Sequence, residues 1–201
     1  MTITINGNGT VTGVSVGGLP DGIVDTDMLA NSAVTDAKAH IAGSVIQVVY
    51  AKLDTAFNST TTNGVDTGLS ATIDVHHASS KLVILCSALW GSQGNFCYMY
   101  LSDGSNNVIE RPGASGSRGR FHWGPEYNGD SGSDFNYHAS RDTFQCVTTP
   151  GSTGNYTVKL RADNEDSNAG RCVHLNRNVN NADRYHDPIG ISTLTIMEVA
   201  Q

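Results

Sequence analysis

A strict two-residue alternation is the feature that most constrains the fold of this chain. Residues 65–76 carry an aliphatic residue or threonine at every odd position and a polar residue or glycine at every even position. Residues 156–163 repeat the pattern, with apolar side chains at the even positions and Thr, Lys, Arg and Asp between them. Because successive side chains of a strand point to opposite faces, both segments are predicted to be strands with one buried and one solvated face.

Nine segments are predicted to be strands, and the turns between them are rich in Gly, Asn and Ser. Only 15% of the residues are charged, a composition that favours turns and strands over helices. Regularly spaced strands with such turns are typical of a β-sandwich. We therefore predict an all-β fold, an antiparallel jelly-roll-like β-sandwich, with strands at 44–52, 65–76, 81–90, 95–102, 107–111, 135–148, 154–163, 170–176 and 189–200.

Four of these strands, near residues 45–50, 82–90, 96–101 and 191–199, are apolar on both faces. In a two-layer sandwich without helices, the outer face of each strand should contact solvent. Because the outer faces of these strands are apolar, we expect another subunit to cover them. Cyclic symmetry would achieve this with identical contacts. We predict a homotrimer, because intertwined fibrous arms that end in jelly rolls are most often trimeric. The alternative is a monomer in which long loops hide the apolar strands. The residues of the sandwich that we expect at the trimer interface are Val45, Val49, Leu194 and Ile196.

Residues 1–43 form a separate region that is too poor in bulky side chains to fold alone. All fourteen aromatic residues lie between Tyr50 and Tyr185, so this segment cannot offset its ordering entropy without a partner. Residues 1–18 predict a hairpin that turns at 6–9, and residues 24–27 are echoed ten positions later. We predict an extended N-terminal arm (1–43), intertwined in the trimer and anchored to a partner, followed by the sandwich (44–201). The arm residues expected at the three-fold axis or partner are Val24, Leu29 and Val34.

Several chemical functions find little support in the sequence. A net charge of −7 with one short basic cluster is not a nucleic-acid footprint. No apolar stretch approaches the roughly 20 residues of a membrane span, and no signal peptide is recognisable. The four cysteines lack C-x-x-C spacing and are expected to be buried thiols rather than disulfides or zinc ligands. We find no catalytic, phosphate-binding or metal-binding motif, and expect neither an enzyme nor a cofactor.

Two loops are candidates for recognition, because flat rings on a polar loop offer contact area at low entropy cost. The first is the glycine-rich loop 113–138; its alternative role is a lid that folds back over the edge of the sandwich. The second is the polar loop 176–188, for which a long turn is the alternative. The receptor-binding candidates are Arg120, Phe121, His122, Trp123, Tyr127, Asn128, Tyr137, Asn180, Asp183 and Tyr185.

The sequence resembles a family of short tail-fibre-like virion proteins of marine bacteriophages, particularly cyanophages. The resemblance is carried by the opening at 2–35, by "VDTGLSATI" at 65–73, by "SSKLVIL" at 79–85 and by "STLTIMEVA" at 192–200. It implies a trimeric structural protein on the exterior of a phage particle, made in the host cytoplasm. The arm would bind another virion protein, and the distal sandwich would bind a polysaccharide or protein of the host surface.

The sequence departs from that family in the length of its arm. Family members usually contain more copies of an "AVT-x-A-K-L" phrase than the two found here, so a capsid decoration, cement or head-fibre protein is an alternative to a tail fibre. A glycan depolymerase, which would use paired carboxylates, is a further alternative.

Overall fold

A computed structural model of the chain describes residues 4–5, 11–12, 41–93, 97–117, 119–124, 139–164, 172–180, 182–185 and 187–201. The chain divides into two compact units, Met1–His40 and Ile41–Gln201. In the first unit, strands β1 (Thr4–Ile5) and β2 (Val11–Thr12) pair antiparallel, with Thr4 opposite Thr12. This confirms the pairing predicted for an N-terminal hairpin. The arm residues Val24, Leu29 and Val34 lie outside the described residues.

In the described residues of the second unit there are nine strands, and the pairings between them are antiparallel, which confirms the all-β prediction. They are β3 (Val45–Leu53), β4 (Phe57–Ser59), β5 (Val65–Val75), β6 (Lys81–Gln93), β7 (Cys97–Asp103), β8 (Ser140–Thr148), β9 (Gly154–Asn164), β10 (Cys172–Leu175) and β11 (Ser192–Val199).

One predicted strand is absent and one observed strand was not predicted. The predicted strand at 107–111 is wrong: the Asp103 carboxylate accepts the backbone N–H groups of Ser105 and Asn107 and closes a turn, and Val108 makes only an isolated bridge. The unpredicted strand is β4, whose three residues are too few to show an alternation.

The larger sheet is organised around the long strand β6. Trp90 pairs with Ser140 of β8 on one side and with Leu175 of β10 on the other. β10 and β11 therefore follow each other along the same side of β6. Outside them lie β4, paired with β10, and β3, paired with β11. The smaller sheet has the order β5–β9–β7. A bulge in β5 accommodates Gly68, whose φ of 92° is readily adopted only by glycine.

Buried apolar residues of the described strands form one core between the two sheets. The alternation predicted for residues 65–76 is observed, because the odd positions of β5 from Thr67 onward are buried and the even ones are exposed. The core also takes the even positions of β6 and the odd positions of β7. The largest fully buried apolar side chains are Leu69, Ile73, Leu82, Ile84, Met99, Leu101, Leu160, Leu175, Leu194 and Ile196.

Asn176 joins the two halves of the larger sheet. It is 1% exposed and has a φ of 61°, a left-handed conformation that Asn tolerates better than most residues. Its Nδ2 donates to the carbonyls of Leu53 (2.8 Å) and Thr55 (2.9 Å), where β3 ends. Its Oδ1 accepts the Ser192 hydroxyl (2.6 Å), where β11 begins, and its backbone N–H donates to Leu89 of β6. One buried side chain thus satisfies the backbone at the break between paired strands.

Glu198 is a second buried polar anchor. Its carboxylate accepts the backbone N–H groups of His76 and His77 and the side-chain amide of Gln47. Burial alone would raise its pKa, but these hydrogen bonds outweigh burial and lower it. The carboxylate therefore fixes the turn after β5 to the last strand of the other sheet.

Candidate functional site

The outward side of the larger sheet is apolar. Register places Val147, Val83, Met197 and Val48 in one row across four strands, and Gln145, Leu85, Thr195 and Tyr50 in the next row. Val45, Val48 and Tyr50 of β3 are 53%, 57% and 61% exposed. We call this surface the apolar face; its apolar residues are Val45, Val48, Tyr50, Val83, Leu85, Leu89, Val147, Met197 and Val199.

Charged side chains lie at the margin of the apolar face. Lys52 pairs with Asp54 (2.9 Å), and Lys81 donates to the Thr149 hydroxyl (2.7 Å). Arg141 donates to the Ile191 carbonyl (2.9 Å). An apolar centre with a charged margin is the usual anatomy of a protein–protein interface.

Two of the predicted interface residues require correction. Leu194 and Ile196 are 0% exposed and pack between the sheets of their own chain, so they are not available to a neighbouring chain. The reason is the phase of β11: Ser192, Leu194, Ile196 and Glu198 point inward, and the intervening residues point outward. Val49 also packs against the core and is half-buried, whereas Val45 lies on the apolar face.

The outward side of strands β5 and β9 in the smaller sheet is polar, and we call it the polar face. Asp66 forms ion pairs with Lys159 (3.1 Å) and Arg161 (2.8 Å). The hydroxyls of Thr72 and Thr157 share a hydrogen bond of 2.8 Å. These groups are solvated or satisfy one another, so this face needs no cover.

The aromatic residues predicted on loop 113–138 turn inward in the part of the loop that the structure describes. Residues 119–124, which we call the side wall, lie along β7, where Met99 and Trp123 form a bridge. The ring of Phe121 stacks on Tyr98, with centroids 4.1 Å apart and planes at 17°. Trp123 is 6% exposed and belongs to the core.

The alternative of a lid over the sandwich edge therefore describes this stretch better than an exposed recognition loop. Phe121 also covers the second face of β7, which was expected to need another subunit. Arg120 is half-buried. The candidates Tyr127, Asn128 and Tyr137 lie outside the described residues.

His122 occupies the centre of the side wall. Its Nδ1 accepts the backbone N–H of Leu101 (3.0 Å), and its Nε2 lies 2.8 Å from the carbonyl of Ile109. The ring stacks on Phe144 of β8, with centroids 4.0 Å apart and planes at 9°. Burial lowers the pKa of His122, an effect that the Ile109 carbonyl and Glu110 partly oppose.

The second candidate recognition loop, predicted at 176–188, corresponds to the segment 177–190; residues 181 and 186 of this segment lie outside the described residues. An Arg177–Ile189 bridge closes its base, and the Asp187 carboxylate accepts the side-chain amides of Asn178 and Asn180 (3.0 Å from Asn180). Asn180 thus supports the loop, whereas Asp183 is exposed and Tyr185 is 101% exposed. An open depression is lined by Ala182, Asp183, Arg184, Tyr185, Asp187, Pro188 and Ile189.

Two cysteine thiols and the possible metal ligands of the described residues were candidates for other chemistry. Cys86 and Cys146 are buried free thiols, and burial raises the pKa of each to about 12. Within the described ranges, no three His, Cys, Asp or Glu side chains are placed to hold a metal ion. Among the same residues, no helix has the length and apolarity needed to cross a bilayer.

Comparison with known proteins gives only distant likenesses. No protein-family model matches the chain, and no curated protein is significantly similar to it. Similar solved structures include the VP2 subviral particle of infectious bursal disease virus (14% identity, TM-score 0.35), which covers 79% of this chain, and the same virus's Gt strain (10% identity, TM-score 0.35). The chain spans only 39% of either protein. Likenesses at this level assign no function.

Proposed function

We propose that this chain is a structural, non-catalytic protein of a bacteriophage particle, and that it forms a homotrimer by burying the apolar face between copies. The apolar face is the observation that carries the proposal. Burying an aliphatic or aromatic side chain contributes roughly 1.5–3 kcal/mol, so leaving several such side chains half-exposed on one sheet would be costly. A second copy that presents its own apolar surface would remove that cost.

The sequence resemblance is the basis for the remaining parts of this proposal. In the proposed trimer, the N-terminal arm (1–43) winds around the arms of the other two copies and binds another virion protein. The jelly-roll-like sandwich is displayed on the particle exterior as a tail fibre. Contact with a host polysaccharide or protein falls to the exposed part of loop 177–190, where Asp183 and Tyr185 face solvent. A well-supported loop loses little entropy on binding.

Sedimentation equilibrium of the purified full-length chain tests the oligomeric part of the proposal. We expect three times the 21.3 kDa chain mass at micromolar concentration, and a well-folded monomer would contradict the proposal. Replacing Val24 and Val34 with Asp tests the arm separately, because monomer release is expected if those side chains face the three-fold axis.

Particle labelling and adsorption assays test the location and the receptor role. Antibody-gold against the chain is expected at the tail, and pre-incubating host cells with purified protein is expected to reduce phage adsorption. Labelling of the head at high copy number, with adsorption unchanged, would instead identify a decoration or head-fibre protein.

A further inference from the structure

The imidazole of His122 makes the two hydrogen bonds beside β7 that a peptide group of a neighbouring strand would make. An amide N–H can only donate and a carbonyl can only accept. Because Leu101 offers its N–H to Nδ1 and Ile109 offers its carbonyl to Nε2, the ring must be the neutral tautomer with the proton on Nε2. The Ile109 N–H in turn donates to the Leu101 carbonyl (3.0 Å), so the three residues close a ring of hydrogen bonds.

We propose that His122 is a proton-sensitive latch, which holds the side wall against β7 while neutral and releases it when Nδ1 is protonated in mild acid. A proton on Nδ1 would point at the Leu101 N–H, so two donors would face each other and one hydrogen bond would be lost. The positive charge would also be largely buried, and its attraction to the stacked Phe144 ring is a weaker effect than this loss.

The titratable groups around His122 do not already hold it in the charged form. The charge of Glu110, in the neighbouring turn, favours protonated His122, but the Oε1 atom of Glu110 accepts the backbone N–H of Val147 and so bonds to β8. On the Phe144 side of β8, Asp142 accepts the Trp90 indole and Cys146 is an un-ionised thiol. Asp103, on the Leu101 side of β7, is committed to its own turn, in which hydrogen bonds lower its pKa despite burial.

Three backbone hydrogen bonds also join the described side wall to β7. The backbone N–H groups of His122 and Trp123 both donate to the Met99 carbonyl, at 3.2 and 3.1 Å, and the Met99 N–H donates to the Trp123 carbonyl at 3.1 Å. The ring of Phe121 also stacks on Tyr98 of β7, and the ring of Trp123 contacts Phe144 of β8. Release would therefore uncover the aromatic surface of β7 while the β7–β9 pairing stays intact.

Hydrogen exchange of the full-length protein tests the latch, compared at about pH 7 and about pH 5 after correction for the intrinsic pH dependence of amide exchange. In peptides covering β7 and the side wall, we expect the opening equilibrium to rise by up to about tenfold per pH unit below about 6.5. Strand β9 should keep its protection, which separates local release from global unfolding.

His122→Gln is the decisive variant, because an amide can both accept and donate but does not titrate in this range. It should abolish the acid-induced rise, and the exposed His76→Gln should leave it unchanged. An equal rise in His122→Gln, or none in the wild type, would overturn the latch. Should His122→Gln fail to fold, NMR titration of the wild-type ring decides: a pKa below about 6.5 with the Nε2–H tautomer supports the latch, and any other result refutes it. These outcomes do not depend on the proposed virion role.

Discussion

The two outward faces of the sandwich are built on the same two-residue alternation, yet they have opposite chemistry. On the smaller sheet, the outward positions of β5 and β9 carry Asp, Ser, Thr, Lys and Arg, which bond to one another or to water. On the larger sheet, the outward positions of β3 and β6 carry Val, Leu and Tyr, and three of those on β3 are more than half exposed. Alternation decides which residues share a face, whereas the composition of that face indicates what lies against it.

The buried supports of the two faces also differ. The larger sheet is broken between β3 and β4 and between β10 and β11; the buried Asn176 side chain donates to backbone carbonyls at the first break and accepts the Ser192 hydroxyl at the second. The smaller sheet has a bulge, and the asparagine at its margin, Asn106, is exposed. Asn106 also has a left-handed backbone, with a φ of 70°. Replacing Asn176 and Asn106 separately therefore compares a buried asparagine in the larger sheet with an exposed one beside the smaller sheet.

The largest expected effect is that of Asn176→Ala. The change leaves the Leu53 and Thr55 carbonyls without their donor and the Ser192 hydroxyl without its acceptor in a buried site. We expect a loss of about 3 kcal/mol in the free energy of unfolding, measured by urea denaturation. The control Asn106→Ala has the same backbone strain but little burial, and should cost about 1 kcal/mol or less. Equal losses would show that backbone conformation, rather than the buried hydrogen bonds, is decisive.

The next largest expected effect is on trimer formation, which should respond to a change on the apolar face and not to one on the polar face. Tyr50→Asp places a charge on the apolar face, on the edge strand β3, at a position already 61% exposed, so the monomer should still fold. We expect the midpoint concentration for trimer dissociation to rise roughly thirtyfold; because this midpoint varies as the square root of the trimer dissociation constant, the change is equivalent to about 4 kcal/mol per trimer, shared by three equivalent aromatic contacts. Sedimentation over a concentration series measures this. Thr72→Asp on the polar face is the matched control, and an equal shift there would remove the distinction between the faces.

We also expect a buried histidine of the larger sheet to make the free energy of unfolding depend on pH. His174 alternates with the core residues Val173 and Leu175, but it is only 5% exposed, and burial followed by the charge of Arg177 lowers its pKa to about 4. The unfolded chain, with a His pKa near 6.5, binds the proton more readily. The contribution of His174 to stability should therefore be fully present above about pH 6.5 and be lost by at most about 1.4 kcal/mol per pH unit as the pH drops toward 4.

Replacing this histidine, in His174→Leu, should flatten the pH dependence of the urea midpoint over that window. The exposed His76→Leu serves as the control and should leave the slope as it is. A slope that persists in His174→Leu would assign the acid sensitivity to other groups, of which His122 in the side wall is the first to examine.

Much of the fold was predictable because strand position is a local property. Alternation located β5 and β9, and apolar runs located β3, β6 and β11 to within a few residues. β4 gave no signal, since its three residues are ordered by pairing with β10, far along the chain. The strand expected at 107–111 failed because the Asp103 carboxylate closes a turn there, which is a contact between side chain and backbone.

The candidate site was less predictable because it depends on which face of each strand is buried. On β11 both faces are apolar enough to be the inner one, and the sequence favoured Leu194 and Ile196 as interface residues although they face the core. Glu198 made the inner face of β11 hard to recognise, because it lies on that face and a buried carboxylate is uncommon unless it is paired. Similarly, Phe121, His122 and Trp123 follow a glycine-rich stretch typical of an exposed loop, and only contact with β7 and Phe144 turns them inward.

The smallest expected effect belongs to the ion pairs of the polar face. Asp66 contacts Lys159 and Arg161, but its side chain is 50% exposed, so solvent screens both pairs. Asp66→Asn should therefore cost about 0.5 kcal/mol or less in urea denaturation, and added salt should reduce that cost further. Asp54→Asn, at the margin of the apolar face and similarly exposed at 55%, should cost no more. A loss from Asp66→Asn well above 1 kcal/mol, insensitive to salt, would mean that the polar face is covered in the assembled protein, and the contrast between a covered face and a solvated one would no longer hold.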